Sequence, residues 1–260
     1  MGGSGSEGTG GLNQMSTAVS INARERLIFA LDLSSVEEAR ALVRKLEGTV
    51  SFFKVGMELY VSSGPALVSE LVSQGKKVFL DLKFFDVPET VKRAVARVAS
   101  IGANFLTVHG DTKIIQAAVE GRGRSNLKLL AVTALTSLDT HDLHEMGFSG
   151  SVEDLVVRRA SKALDYGCNG VIASPREASK VRALVLSAKK GGEFLIVTPG
   201  VRPAGAATDD HKRMATPGDA IQGGADYLVV GRPIRDAADP CEKAESIIAE
   251  MQTAFDRRRI

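Results

Sequence analysis

Eight short apolar runs, each followed by a stretch with helical spacing, narrow the possible folds of this chain more than any other feature. The runs are Leu27 to Leu31 ahead of Asp32, Phe52 to Val55, Lys77 to Leu82, Phe105 to His109, Lys128 to Leu135, Gly170 to Ala173, Phe194 to Thr198, and Tyr227 to Val230. Each is too short for a helix and too uniformly apolar for a strand with one wet face, which is the mark of a strand buried on both sides. Between them, apolar positions at helical spacing predict helices over Val36–Leu46, Pro65–Gln74, Pro88–Ile101, Lys113–Glu120, Val152–Tyr166, Arg176–Ser187, Pro217–Gln222 and Pro240–Arg258. Ser34 or Ser35 supplies a cap for the first of these. Strand–helix alternation forces parallel pairing through crossovers. Eight repeats in 260 residues predict a closed (β/α)8 TIM barrel, one α/β domain, rather than an open sheet.

The barrel is expected over residues 15–260. Residues 1–14 are Gly- and Ser-rich and lack the apolar core of a signal peptide, so they read as a disordered leader or tag, with a second methionine, Met15, directly after them. A net charge of +2 excludes a general nucleic-acid or membrane-surface binder, and Arg257-Arg258-Arg259 reads as a solvated helix end. No apolar run reaches the roughly 20 residues that span a bilayer. Cys168 and Cys241 lie far apart, which fits reduced thiols and a cytoplasmic location. The four histidines form no HExxH or comparable cluster, so no tightly bound metal is expected.

Active sites of such barrels sit at the C-terminal ends of the strands. Those ends read Asp32, Lys54, Asp81 with Lys83, His109, Thr136, Thr198-Pro199 and Gly231-Arg232. Asp81 and Lys83 point to one side of a strand, and Asp86 follows just beyond it, either as a helix cap before Pro88 or as part of a site. Lys54, Asp81, Lys83 and Asp86 are expected to form an alternating charged row. Carboxylate neighbours favour a charged lysine, which argues against a Schiff-base nucleophile and for stabilisation of an anion and delivery of a proton. After the seventh and eighth strands, Gly200, Arg202, Gly231 and Arg232 have the backbone room and guanidinium forks that suit a phosphate, and Pro233-Ile234 opens a short helix there.

The segment Asp81-x-Lys83-x-x-Asp86-Val87-Pro88-x-Thr90, with Thr198-Pro199-Gly200-Val201-Arg202 and Val230-Gly231-Arg232-Pro233 in order behind it, resembles the orotidine 5′-phosphate decarboxylase family, with Val87 where isoleucine is common. The likeness runs from about Arg26 to the final helix. It implies decarboxylation of orotidine 5′-phosphate (OMP) to UMP in pyrimidine synthesis, without metal or organic cofactor, by a homodimer with shared active sites. By resemblance, Asp32 and Lys54 hold the ribose hydroxyls and Asp81 faces the substrate carboxylate. Lys83 donates a proton to C6, Thr136 contacts the pyrimidine, and Arg202, Gly231 and Arg232 grip the phosphate. Asp86 and Thr90 reach into the neighbouring subunit's site.

One position departs from the family: His211 stands where a phosphate-contacting glutamine is common. An imidazole can donate one hydrogen bond, or add charge when protonated, so His211 either keeps that role or faces solvent. Two other functions remain compatible with the barrel. One is a metal-dependent sugar-phosphate decarboxylase or aldolase with a related Asp-x-Lys-x-x-Asp core, though such relatives lack the Pro-x-Thr after Asp86. The other is a non-catalytic nucleotide-phosphate binder, against which the intact charged row argues.

Overall fold

A computed structural model describes residues 21–188, 193–203 and 215–258. Among them, eight parallel strands close into a barrel: β1 (Leu27–Ala30), β2 (Phe52–Gly56), β3 (Lys77–Phe84), β4 (Phe105–His109), β5 (Lys128–Val132), β6 (Gly170–Ile172), β7 (Leu195–Thr198) and β8 (Tyr227–Val230). Each pairs with the next, and β8 returns to β1 with Ile28 beside Val229. Around the barrel run α1 (Val36–Lys45), α2 (Met57–Ser73), α3 (Pro88–Ile101), α4 (Thr112–Arg122), α5 (Thr140–Glu145), α6 (Val152–Asp165), α7 (Pro175–Ser187), α8 (Pro217–Gln222), α9 (Arg232–Arg235) and α10 (Pro240–Arg258). The expected TIM barrel is the observed fold. The leader and His211 lie outside the described residues, as does most of the polar stretch after β7.

Local chemistry sets the element ends. The Ser35 side chain accepts the Glu38 N–H at the start of α1, and Pro88 occupies the first turn of α3, where its missing N–H costs nothing. Four boundaries differ from expectation. The second helix begins at Met57 rather than Pro65, because helical turns on both sides of Gly64 (φ 60°, ψ −157°) abut across a kink that reads in sequence as a start. The fifth strand stops at Val132. A short helix, α5, occupies a polar stretch that reads as loop, held by Asp139 and Asp142, which cap each other's backbone N–H groups. Finally, β3 runs two residues past Leu82.

Alternation along the strands separates two cores. Phe29, Phe53, Val55, Val78, Leu80, Leu106 and Val108 point outward and bury against the helices. Ile28, Ala30, Phe52, Phe79, Phe105, Leu130, Leu195, Val197 and Val229 point inward and fill the barrel. Phe105 packs edge-on against Phe52 at 5.0 Å and Tyr227 at 5.1 Å between ring centroids. Each fully buried ring contributes about 1.5–3 kcal/mol of transfer free energy. This aromatic layer closes the barrel below the next inward positions, which are Lys54 above Phe52, Asp81 above Phe79 and Thr107 above Phe105.

Candidate active site

Those inward positions build a row of alternating charge. Lys54 Nζ donates to Asp32 Oδ1 at 2.8 Å and lies 3.6 Å from Asp81 Oδ2. Lys83 Nζ donates to Asp81 Oδ1 at 2.9 Å. Two acids and two bases thus follow one another across β1, β2 and β3. For Lys54, burial works against the charged form, but the Asp81 and Asp32 carboxylates outweigh it and hold the pKa above the ordinary lysine value. For Asp81, burial works against ionisation, but Lys54 and Lys83 outweigh it and hold the pKa below the usual carboxylate range. The pair therefore stays charged.

The two lysines are not equivalent. The Lys54 side chain is 10 % exposed and bound by two carboxylates; that of Lys83 is 37 % exposed with one carboxylate partner. Lys83 is the ammonium with N–H bonds left to offer an incoming molecule. Its backbone is unusual as well: at φ 48° it is the one non-glycine residue with positive φ among the described residues. Such a conformation costs about 1–3 kcal/mol and persists where neighbours impose it. Here the β3–β4 pairing jumps from Leu80–Leu106 to Phe84–Val108, so Asp81, Leu82 and Lys83 face Thr107 alone.

Two cavities share Asp32 and Lys54. One, of about 250 Å³, adds Asp81 and Lys83. The other, of about 350 Å³, adds Gly200, Arg202, Gly231, Arg232 and Arg235. One end thus holds mixed charge at fixed spacing, and the other gathers three guanidinium groups beside two glycines. That arrangement takes an elongated molecule with an anionic group at one end. At Gly231 an added Cβ would come within 3.3 Å of the Ala30 Cβ and 3.6 Å of Asp32 Oδ2, so a side chain there would crowd the passage.

The remaining sequence candidates fall in several places. Thr136 lies half-buried in the turn after β5. Asp86 and Thr90 are exposed; Asp86 accepts the Val87 N–H at 2.6 Å, and α3 is capped by Val87 without a side-chain bond, so Asp86 is not its cap. Within one chain the row runs Asp32, Lys54, Asp81, Lys83, and among the described residues no ion pair joins Asp86 to Lys83 at the end where it was expected. His109 turns to Asp111, with Nδ1 and Oδ2 2.5 Å apart, and its ring lies 4.4 Å from that of Phe85 at a tilt of 43°, beside a separate apolar cavity. Thr198 is fully buried on the strand face opposite Val197. Asp139, His141 and Asp142 bring potential metal-ligating atoms within 4.8 Å of one another, but both carboxylates already serve as the caps of α5.

Two further residues of the site are not among the sequence candidates. Arg235 donates to the Asp32 carbonyl at 2.9 Å and lines the arginine-rich cavity; its signal is a position three residues after Arg232, on the same side of a one-turn helix. Thr107 touches both Asp81 and Lys83; its signal is its place two residues after the inward-facing Phe105.

Comparison with known proteins fits this geometry. Residues 25–247 match the model of the orotidine 5′-phosphate decarboxylase / HUMPS family. A Nitrobacter winogradskyi protein named orotidine 5′-phosphate decarboxylase is 52 % identical over 233 residues, covering 90 % of this chain and 95 % of the relative. A Rhodopseudomonas palustris protein of the same name is 49 % identical over 231 residues, covering 89 % and 96 %. The crystal structure of orotidine 5′-phosphate decarboxylase from Lactobacillus acidophilus superposes with a TM-score of 0.75 at 37 % identity, covering 87 % of this chain and 99 % of that one.

Proposed function

We infer the activity from one premise: the chain belongs to the orotidine 5′-phosphate decarboxylase / HUMPS family. It decarboxylates OMP to UMP and CO2, as a carboxy-lyase of pyrimidine synthesis. The observation that carries this reading is the alternating row at the strand ends, with an arginine-lined phosphate cavity one step away.

The assignment of roles follows the charges. Arg202 and Arg232 bind the phosphate with Gly231 leaving it room, Asp32 and Lys54 hold the ribose hydroxyls, and Thr136 meets the pyrimidine. That places the substrate carboxylate beside Asp81, which Lys54 and Lys83 keep ionised. Breaking the C6–CO2 bond leaves the electron pair on C6, where no adjacent carbonyl can take it up. A fixed ammonium then lowers the barrier by being better matched to the carbanion than to the starting carboxylate. Lys83 supplies that charge, delivers one N–H proton to C6 and regains a proton from solvent. Contacts to phosphate and ribose, remote from C6, supply binding energy that holds the substrate carboxylate against Asp81.

The reading extends to a homodimer with shared sites. Phe85 and Val87, flanking Asp86, are each 65 % exposed, which leaves apolar surface around a carboxylate that finds no lysine in its own chain among the described residues. Asp86 and Thr90 then complete the neighbouring site. A cytoplasmic location is supported by two free cysteines, and no helix among the described residues is long and apolar enough to cross a membrane.

The test is the fall in OMP absorbance with purified protein and EDTA. Turnover despite the chelator is expected. Metal-dependent turnover of a sugar phosphate instead, or UMP binding without turnover, would overturn the reading.

A further inference from the structure

Thr107 sits fully buried on β4, pointing into the barrel, and both of its hydrogen bonds go to the neighbouring strand. Its hydroxyl donates to Asp81 Oδ1 at 2.9 Å, and the same oxygen accepts the Lys83 backbone N–H at 2.9 Å. A threonine hydroxyl has one proton to give and lone pairs to receive, so one side chain can do both at once. It does so where the β3–β4 ladder is interrupted and Thr107 alone stands opposite Asp81, Leu82 and Lys83. The bond to the Lys83 N–H replaces a missing ladder bond and holds the residue whose φ is 48°. Asp81 Oδ1 is thereby fixed from two sides, by Lys83 Nζ at 2.9 Å and by Thr107.

We propose that Thr107 is a positioning residue for the decarboxylation: it orients the Asp81 carboxylate and, through the Lys83 backbone, holds the left-handed turn that aims the Lys83 ammonium at the same point. It reaches the chemistry through these two residues, and the proposal rests on their assignment above. A side chain offering bulk alone would fill the space equally well. The hydroxyl is what the geometry uses, because without it a carboxylate loses a donor and a part-buried N–H loses its acceptor.

Thr107→Val removes both bonds at nearly constant volume, and Thr107→Ser keeps both. For the valine variant kcat is expected to fall about tenfold to a hundredfold, the range of one hydrogen bond to a charged group. KM for OMP and the inhibition constant of UMP should stay within about threefold, because phosphate and ribose contacts are untouched. The acid limb of its kcat profile should move to higher pH, since a carboxylate with one donor fewer protonates more easily. Serine should recover kcat to within about threefold of wild type. If the valine chain does not fold, Thr107→Ala is read in its place. Wild-type kcat in the valine or alanine variant would overturn the proposal. So would a serine variant as slow as valine, or a loss of kcat matched by equal losses of UMP affinity and Tm. Wild-type turnover of OMP, measured alongside, tests the decarboxylase reading separately.

Discussion

Lys54 joins the two halves of the charged row, since its ammonium lies against both Asp32 and Asp81. Its raised pKa means that its stabilising contribution is complete below the ordinary lysine value, about 10.4, and is lost as pH rises through the higher folded value. The lowered pKa of Asp81 works in the other direction: its contribution is complete above the ordinary value, about 3.9, and is lost as pH falls through the depressed one. Between those limits both groups stay charged. Replacing Lys54 by methionine leaves Asp81 buried beside a second carboxylate with one cation fewer. Lys54→Met should therefore cost about 3–5 kcal/mol at neutral pH and move the acid unfolding transition upward. Urea unfolding of both proteins across the acid range checks this; superimposable curves would show that the row is not a coupled unit. The row is largely legible in the sequence, because Asp32, Lys54 and Asp81 each end or near the end of an apolar run. Thr107 is not, because a threonine in a strand is ordinary until its partners on the next strand are known.

At the scale of elements, what a segment does alone is readable in the sequence and what a neighbour imposes on it is not. Pro88 and Ser35 announce α3 and α1 through local capping chemistry. The β3 irregularity has no such signal: lysine has no preference for positive φ, so the turn at Lys83 comes from the contact with β4. For a related reason α5 reads as loop, since its reciprocal Asp139–Asp142 cap lies in a stretch of polar residues. Close packing between strands yields a sharper prediction at Gly170 in β6, where an added Cβ would lie 2.2 Å from the Leu195 carbonyl oxygen. That neighbour is backbone of β7 and cannot rotate away. Gly170→Ala should destabilise the barrel by about 1–3 kcal/mol or more, measured as a lowered Tm. An unchanged Tm would mean that β6 and β7 are not paired in the register with Gly170 beside Leu195.

For the whole molecule, closure of the barrel brings β1 beside β8 and so sets Asp32 next to the arginines of the last loop. One chain supplies Asp32, Lys54, Asp81 and Lys83, while Asp86 and Thr90 stand exposed at its edge. If those two residues complete a neighbour's site, chains carrying Lys83→Ala and Asp86→Ala should each be inactive alone. Mixed with subunit exchange, they should regain part of the wild-type rate, because a hybrid dimer holds one intact site. No recovery despite demonstrated exchange would place Asp86 in its own chain's site or in none. Whether a fixed Lys83 ammonium stabilises and protonates the carbanion is decided by the steady-state kinetics of Lys83→Ala measured beside its UMP affinity. The expected result is a fall in kcat of about 10²–10⁴ or more, with UMP bound within about tenfold of wild type. A kcat near that of the wild-type chain would contradict it.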